Sequence, residues 1–335
     1  MTTQIVYSED FLRHDDPSHP ENAKRLTSII KEIKKAPFHE KLQFISPKIV
    51  PENALNDVHS NYMIKQIKNM SKDEISWIDY DTYVCKGSYE IAKLAAGGLL
   101  QICKNVINNE AENGFALIRP PGHHATHDLS MGFCLFNNVA IAANEISKKG
   151  KKILIFDHDV HHGNGTQDIF YGRKDVMYQS FHLSPHYPGT GAVNEIGKDK
   201  GEGYTINAPI SHGNGDKAIS QLIDEIFLPI AKKFKPDMIL FSSGYDSHHY
   251  DPLGGLNITA NFYGEIIKKF QEVQTRIVCT LEGGYNLEWM GKCIVSQLAQ
   301  MNQYEIKIDD SSSEYNNVND LIQQIKKIMK KYWEL

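Results

Sequence analysis

Ile153-Leu154-Ile155-Phe156-Asp157-His158-Asp159-Val160-His161-His162-Gly163-Asn164-Gly165 opens with four bulky apolar residues and ends in two carboxylates, three imidazoles and two glycines. The apolar opening reads as a strand buried in a parallel sheet. Side chains alternate along an extended segment, so Asp157, Asp159 and His161 point to one side while His158 and Val160 point to the other. Carboxylate oxygens and an imidazole nitrogen converging at a strand end suit a borderline-hard divalent metal, zinc first among them. Gly163 and Gly165 then let the chain turn sharply around that point.

Three further segments repeat the arrangement of an apolar strand followed by polar residues. Phe115-Ala116-Leu117-Ile118-Arg119 runs into Pro120-Pro121-Gly122 and the pair His123-His124. Met238-Ile239-Leu240-Phe241-Ser242-Ser243 leads through Gly244 and Tyr245 to Asp246, a carboxylate able to complete a three-ligand set. Ile277-Val278-Cys279-Thr280-Leu281 delivers Glu282-Gly283-Gly284-Tyr285. A His pair or a Gly-Gly-Tyr alone is a common turn. Together, all following strands, they match the rule that open parallel sheets bind ligands at the carboxyl ends of their strands.

Between these strands, 138–149, 215–233 and 259–273 carry apolar residues at helical spacing, and 88–109 is a helix rich in Ala and Gly. The segment 17–36 is expected to be helical from Pro20 onward. A further strand is expected at 175–182. Strand–helix alternation implies an α/β domain with helices on both faces of a parallel sheet. The loops 184–203 and 246–258 are long for a compact domain, which marks them as functional. The stretch 309–317 reads as an exposed connection to a terminal helix at about 318–333, and the reading is of a single domain over 1–335 with its core at about 16–300.

Composition limits the function classes. Hydrophobic content of 41% and charged content of 23% are ordinary for a globular protein. A net charge of −5 argues against a general grip on nucleic acid. The five cysteines are odd in number and contain no C-x-x-C pair, which suits a reduced intracellular setting. The first ten residues lack the basic-then-apolar pattern of a secretory signal, and no run is long enough to span a bilayer. A cytoplasmic location is expected, with delivery to a host cell or nucleus left open. Oligomeric state is not legible.

Arg119-Pro120-Pro121-Gly122-His123-His124-Ala125, Gly132-Phe133-Cys134, the 157–165 run, Pro188-Gly189-Thr190-Gly191, Asp251-Pro252-Leu253-Gly254-Gly255 and Leu281-Glu282-Gly283-Gly284-Tyr285-Asn286-Leu287 together resemble the zinc-dependent histone deacetylase family. The likeness runs from about Asp16-Pro17-Ser18-His19-Pro20-Glu21 to about residue 300, and its Arg-Pro-Pro-Gly-His-His and Leu-Glu-Gly-Gly-Tyr forms look like the class II branch and its bacterial deacetylase-like relatives. The resemblance implies the arginase/deacetylase fold, an eight-stranded parallel sheet with helices on both sides. It implies Zn²⁺ on Asp159, His161 and Asp246, with His123 hydrogen-bonded to Asp157 and His124 to Asn164. Tyr285 would reach the substrate carbonyl. Phe133 and Tyr187 would wall a narrow tunnel, with Leu253 and Gly283 also against the substrate. Asp81 would grip the substrate backbone, although an ordinary helix-entry aspartate is an equal reading. The family also implies a structural K⁺ on the side chains of Asp157 and Ser180 and the carbonyls of Asp159, His161 and Phe181. The implied substrate is N6-acetyl-lysine in a protein or peptide, histone tails included.

The residues supply a mechanism for amide hydrolysis. His124 is the expected general base and acid, because its partner Asn164 is neutral, while Asp157 favours the charged form of His123. Tyr285 is the expected oxyanion donor. Cys134 reads as packing, and His182, His186, His212, His248 and His249 as loop or surface histidines. Three rivals stand beside this. A binuclear manganese hydrolase of the arginase type would need another carboxylate where Gly244 stands. An acetylpolyamine amidohydrolase would want an acidic group near the mouth, where this chain has Leu253. A catalytically dead acyl-lysine reader would not need the full set of reactive side chains.

Overall fold

In the computed structural model, which describes residues 2–313 and 315–334, the strands in chain order are Thr3–Val6 (β1), Leu42–Ile45 (β2), Ile75–Trp77 (β3), Tyr83–Cys85 (β4), Asn113–Ala116 (β5), Ile153–Asp157 (β6), Val176–Leu183 (β7), Thr205–Ile210 (β8), Met238–Ser243 (β9) and Ile277–Leu281 (β10). Eight of them form one sheet in the order β2-β1-β5-β10-β9-β6-β7-β8, every pair parallel. β3 and β4 form a separate antiparallel hairpin.

Every residue of β5, β6, β7, β9 and β10 is buried, so both faces of the sheet are covered. That is why β6, β9 and β10 read as near-continuous apolar runs and not as alternating ones, while β7 carries Gln179, Ser180 and His182 within a buried strand. Helices Ser88–Ile107 and Asn138–Ser147 pack on each other, and Lys24–Ile33, Ala260–Gln271 and Met290–Met301 form a second packed group. Phe156, next to last in β6, meets the rings of Phe181, Phe227, Phe241 and Phe270.

The four segments singled out in the sequence follow β5, β10, β9 and β6, which are neighbours in the sheet. This adjacency makes a site possible: their carboxyl ends open onto one crevice. Register places Asp157 of β6 beside Ser180 of β7 and Ser242 of β9.

Several boundaries move. The strand expected at 115–119 leaves the sheet after Ala116, and the first helix starts at Lys24, not Pro20. Asp15 and Asn22 hold the intervening turn, accepting from the Ala23 amide at 2.6 Å and the Lys24 amide at 2.9 Å, and side-chain bonds of this kind compete with helix. The helix expected over 215–233 is divided by a π turn at Ile223–Phe227. The stretch 309–317 is not merely an exposed connection, because Asp310 is anchored: its carboxylate takes the Ala260 amide at 2.7 Å and the rings of His248 and His249 at 3.0 and 2.7 Å. A terminal helix follows at Asn319–Met329.

Candidate active site

Three ligand atoms, one each from Asp159, His161 and Asp246, lie within 4.8 Å of one another. His161 Nδ1 stands 3.0 Å from Asp159 Oδ1 and 3.2 Å from Asp246 Oδ2. The remaining carboxylate lone pairs are met by backbone: the Gly283 amide donates to Asp159 at 2.8 Å and the Val160 amide to Asp246 at 2.9 Å. Two buried carboxylates facing one imidazole need a cation between them. Burial opposes charge on His161, yet its bonds to Asp159 and Asp246 push its pKa up to about 10. Burial and the neighbouring Asp159 push Asp246 up to about 7. The carboxylates that raise His161, and the part of the Asp246 shift due to Asp159, reflect negative charge that a divalent ion would neutralise, so the donor set fits zinc. Side chains are excluded close by. A Cβ on Gly283 would lie 2.1 Å from Asp246 Oδ2, and one on Gly244 would lie 2.0 Å from Asp159 Oδ2. The latter leaves no room for the extra carboxylate of a binuclear site.

The two imidazoles beside this cluster are oppositely tuned. His123 Nδ1 sits 3.1 Å from Asp157 Oδ2. Burial lowers its pKa, but the charges of Asp159 and Asp157 outweigh burial and lift it to about 10. His124 Nδ1 sits 2.7 Å from Asn164 Oδ1. Burial, reinforced by the positive charges of His123 and His161, holds His124 well below the usual histidine range. These opposite shifts favour an imidazolium at His123 and a free base at His124.

Tyr285 closes the other side. Its ring meets Phe133 edge-on at 5.8 Å and lies under the Arg25 guanidinium at 5.0 Å. Burial keeps the phenol protonated, well above its ordinary pKa. The tyrosine follows Gly284, whose φ of +112° is open to glycine and strained for other residues.

A cavity of 190 Å³ runs down to these groups. Phe133, Tyr187, Leu253, Gly283 and Asp81 all line it, with Tyr80 at its mouth. Asp159 and Asp246 lie fully buried beneath. The volume is small against the roughly 300–1,000 Å³ of common ligand pockets and suits an unbranched chain. Phe133 takes a left-handed φ of +68°, its amide donating to Thr82 at 3.2 Å. Asp81 does not enter a helix: it occupies the turn between β3 and β4. A larger groove of 790 Å³ lies across the 184–196 loop and shares His186, but contains none of the three metal donors.

One histidine is not the loop or surface residue expected, and two loop histidines are packed inward. His182 is a buried residue of β7, its ring beside Ser180 at 3.0 Å and the Gly191 carbonyl at 3.0 Å. His186 stacks on His161 at 4.8 Å and lines the cavity. His248 is buried; its Nδ1 accepts the Tyr250 amide, so its Nε2 proton goes to Asp310. That fixed tautomer leaves Nε2 no lone pair for a metal, and His248, His249 and Asp310 are scaffold.

Sequence reasoning gave no role to three groups. Glu282 is fully buried beneath the His pair and accepts the amides of Gly122 at 2.7 Å and His123 at 3.1 Å. Arg25 donates to the carbonyls of Gly284 and Glu282 at 2.7 and 2.5 Å. Asp251 accepts the Tyr285 amide at 2.6 Å. For Glu282 the available signal was an acidic residue ending an apolar strand.

The chain resembles known proteins along its whole length. The model of the histone deacetylase domain matches residues 19–301. A probable deacetylase of Archaeoglobus fulgidus is 35% identical over 100% of this chain and 99% of its own length. Histone deacetylase 5 of Arabidopsis thaliana is 36% identical over 98% of this chain, which spans 53% of that longer protein. Among solved structures, the crystal structure of the HDA15 HD domain superposes with a TM-score of 0.93 at 33% identity, covering 100% of this chain and 97% of that one. With a sheet, a buried donor cluster and a paired imidazole site in one crevice, and a family match across most of its residues, the chain belongs to the histone deacetylase family.

Proposed function

We propose that the protein is a zinc-dependent hydrolase of N6-acetyl-lysine in proteins, histone tails among its candidate substrates. The observation carrying this is a narrow cavity with aromatic walls that ends at His161, His124 and Tyr285 together. Asp159, His161 and Asp246 would hold Zn²⁺, which when bound acidifies water and polarises an acyl carbonyl. The protein's own groups do the remaining work. Neutral His124 takes the proton of the attacking water and later passes it to the leaving lysine amine. His123 stays protonated against Asp157 and stabilises negative charge as it develops. Tyr285 donates its hydroxyl to the oxyanion. Phe133 and Tyr187 hold the lysine stem and exclude water, and Asp81 accepts from the substrate backbone at the mouth. A structural K⁺ would use Asp157 and Ser180, which are register partners on β6 and β7.

Acetylpolyamine is the second reading, favoured by the Asp81 carboxylate at the cavity mouth. Leu253, also lining the mouth, provides no charge and favours acyl-lysine. One preparation should be assayed on acetyl-lysine peptides, longer acyl-lysine peptides and N8-acetylspermidine. The expected result is a higher kcat/KM on acetyl-lysine peptide, with Leu253→Glu shifting the balance toward the polyamine. A wild type that prefers the acetylpolyamine would replace the first reading with the second.

A further inference from the structure

Gly283-Gly284-Tyr285 is a turn with few intrinsic restraints. Gly284 has no side chain to pack, and the Tyr285 amide is bonded to no backbone carbonyl among the described residues. The turn is held by charged side chains on two sides. Arg25 takes the Gly284 carbonyl at 2.7 Å. Asp251 takes the next two amides on a single oxygen, Tyr285 at 2.6 Å and Asn286 at 2.9 Å. Its second oxygen accepts the Leu253 amide at 3.0 Å. One carboxylate therefore ties the tyrosine to the loop that carries the rim of the cavity. Bonds from N–H to a carboxylate are shorter and roughly twice as strong as neutral ones.

We propose that Asp251 is a positioning residue for the reaction, fixing the Tyr285 backbone so that its hydroxyl meets the reacting carbonyl. The proposal rests on the reading of Tyr285 as oxyanion donor. Asp251 is not among the residues lining the cavity, so it acts only through others. An oxyanion donor must stand about 2.7–3.1 Å from where the charge develops. A displacement of about 1 Å costs up to roughly 10²-fold in rate. Arg25 holds the preceding Gly284 carbonyl, and Asp251 is the side chain that holds the Tyr285 amide itself.

The test is a double-mutant cycle on the zinc-loaded full chain with an acetyl-lysine peptide, zinc content being measured for each variant. Asp251→Ala should lower kcat about 10- to 10²-fold with KM and zinc content nearly unchanged. In the Tyr285→Phe background, Asp251→Ala should lower kcat no further, because the hydroxyl it positions is already gone. A wild-type kcat in Asp251→Ala, or losses that multiply in the double variant, would overturn the proposal while leaving the role of Tyr285 intact. A near-native kcat in Tyr285→Phe would overturn both. Hydrogen exchange on the wild type covers the case in which Asp251→Ala does not fold. The Tyr285 and Asn286 amides should be protected, and exchange at the rate of an open loop would show that the tether does not exist.

Discussion

His123 and His124 are identical side chains in sequence contact, and their surroundings set them apart: Asp159 and Asp157 outweigh burial at His123, while burial and the charges of His123 and His161 lower His124. A carboxylate stands 3.1 Å from one and a neutral amide 2.7 Å from the other. The pKa of His124 is lowered, so it binds its proton only when pH falls well below the usual histidine value. It therefore stays a base through neutral pH, and kcat/KM should hold its level as pH drops through about 6.5, the ordinary histidine pKa. Asn164→Asp would place a charge on Nδ1, raise that pKa and move the acid limb of the pH–rate profile toward neutrality. An unmoved acid limb would show that His124 is not the titrating base. Some of this was legible in the sequence. The residue types at 157, 159 and 161 and the neutrality of Asn164 are written in the chain, but β6 ends at Asp157, so the following turn and not strand alternation brings Asp159 and His161 together with Asp246. Glu282, Arg25 and Asp251 were not assigned. They bind backbone atoms of distant segments, and no spacing rule reports which amide a carboxylate will find.

The strands that could be read from the sequence, β5, β6, β7, β9 and β10, are those buried along their whole length, and apolar residues run longest in β6, β9 and β10. β1 and β2 are four residues each, and β8 mixes Thr, Asn and Pro into its run, so none gives a strong pattern. The stretch 309–317 was no more legible, since the Asp310 anchor depends on a pair of histidines brought to it by the fold. β6 matters most, because it carries the packing centre at Phe156 and the ligand-bearing turn that follows. Phe156 is fully buried among four aromatic rings. Phe156→Ala should cost about 3–5 kcal/mol of stability in a denaturant titration, the range for truncating a packed aromatic. A loss below about 1 kcal/mol would mean that the site can collapse around the gap and that β6 is not the rigid support inferred here.

At the scale of the molecule, function follows from strand order. β5, β10, β9 and β6 are dispersed in the chain and consecutive in the sheet, so one crevice collects a His pair, a tyrosine and three side chains able to bind a metal. No helix among the described residues is long and apolar enough to cross a membrane. The account as a whole depends on a single ion at Asp159, His161 and Asp246. Elemental analysis of the purified protein, beside Asp246→Ala, tests this most directly. The expected result is about one zinc per chain in the wild type, removed together with deacetylase activity by a chelator, and essentially none in the variant. Two tightly bound metals per chain, zinc retained by Asp246→Ala, or full activity after complete chelation would contradict it.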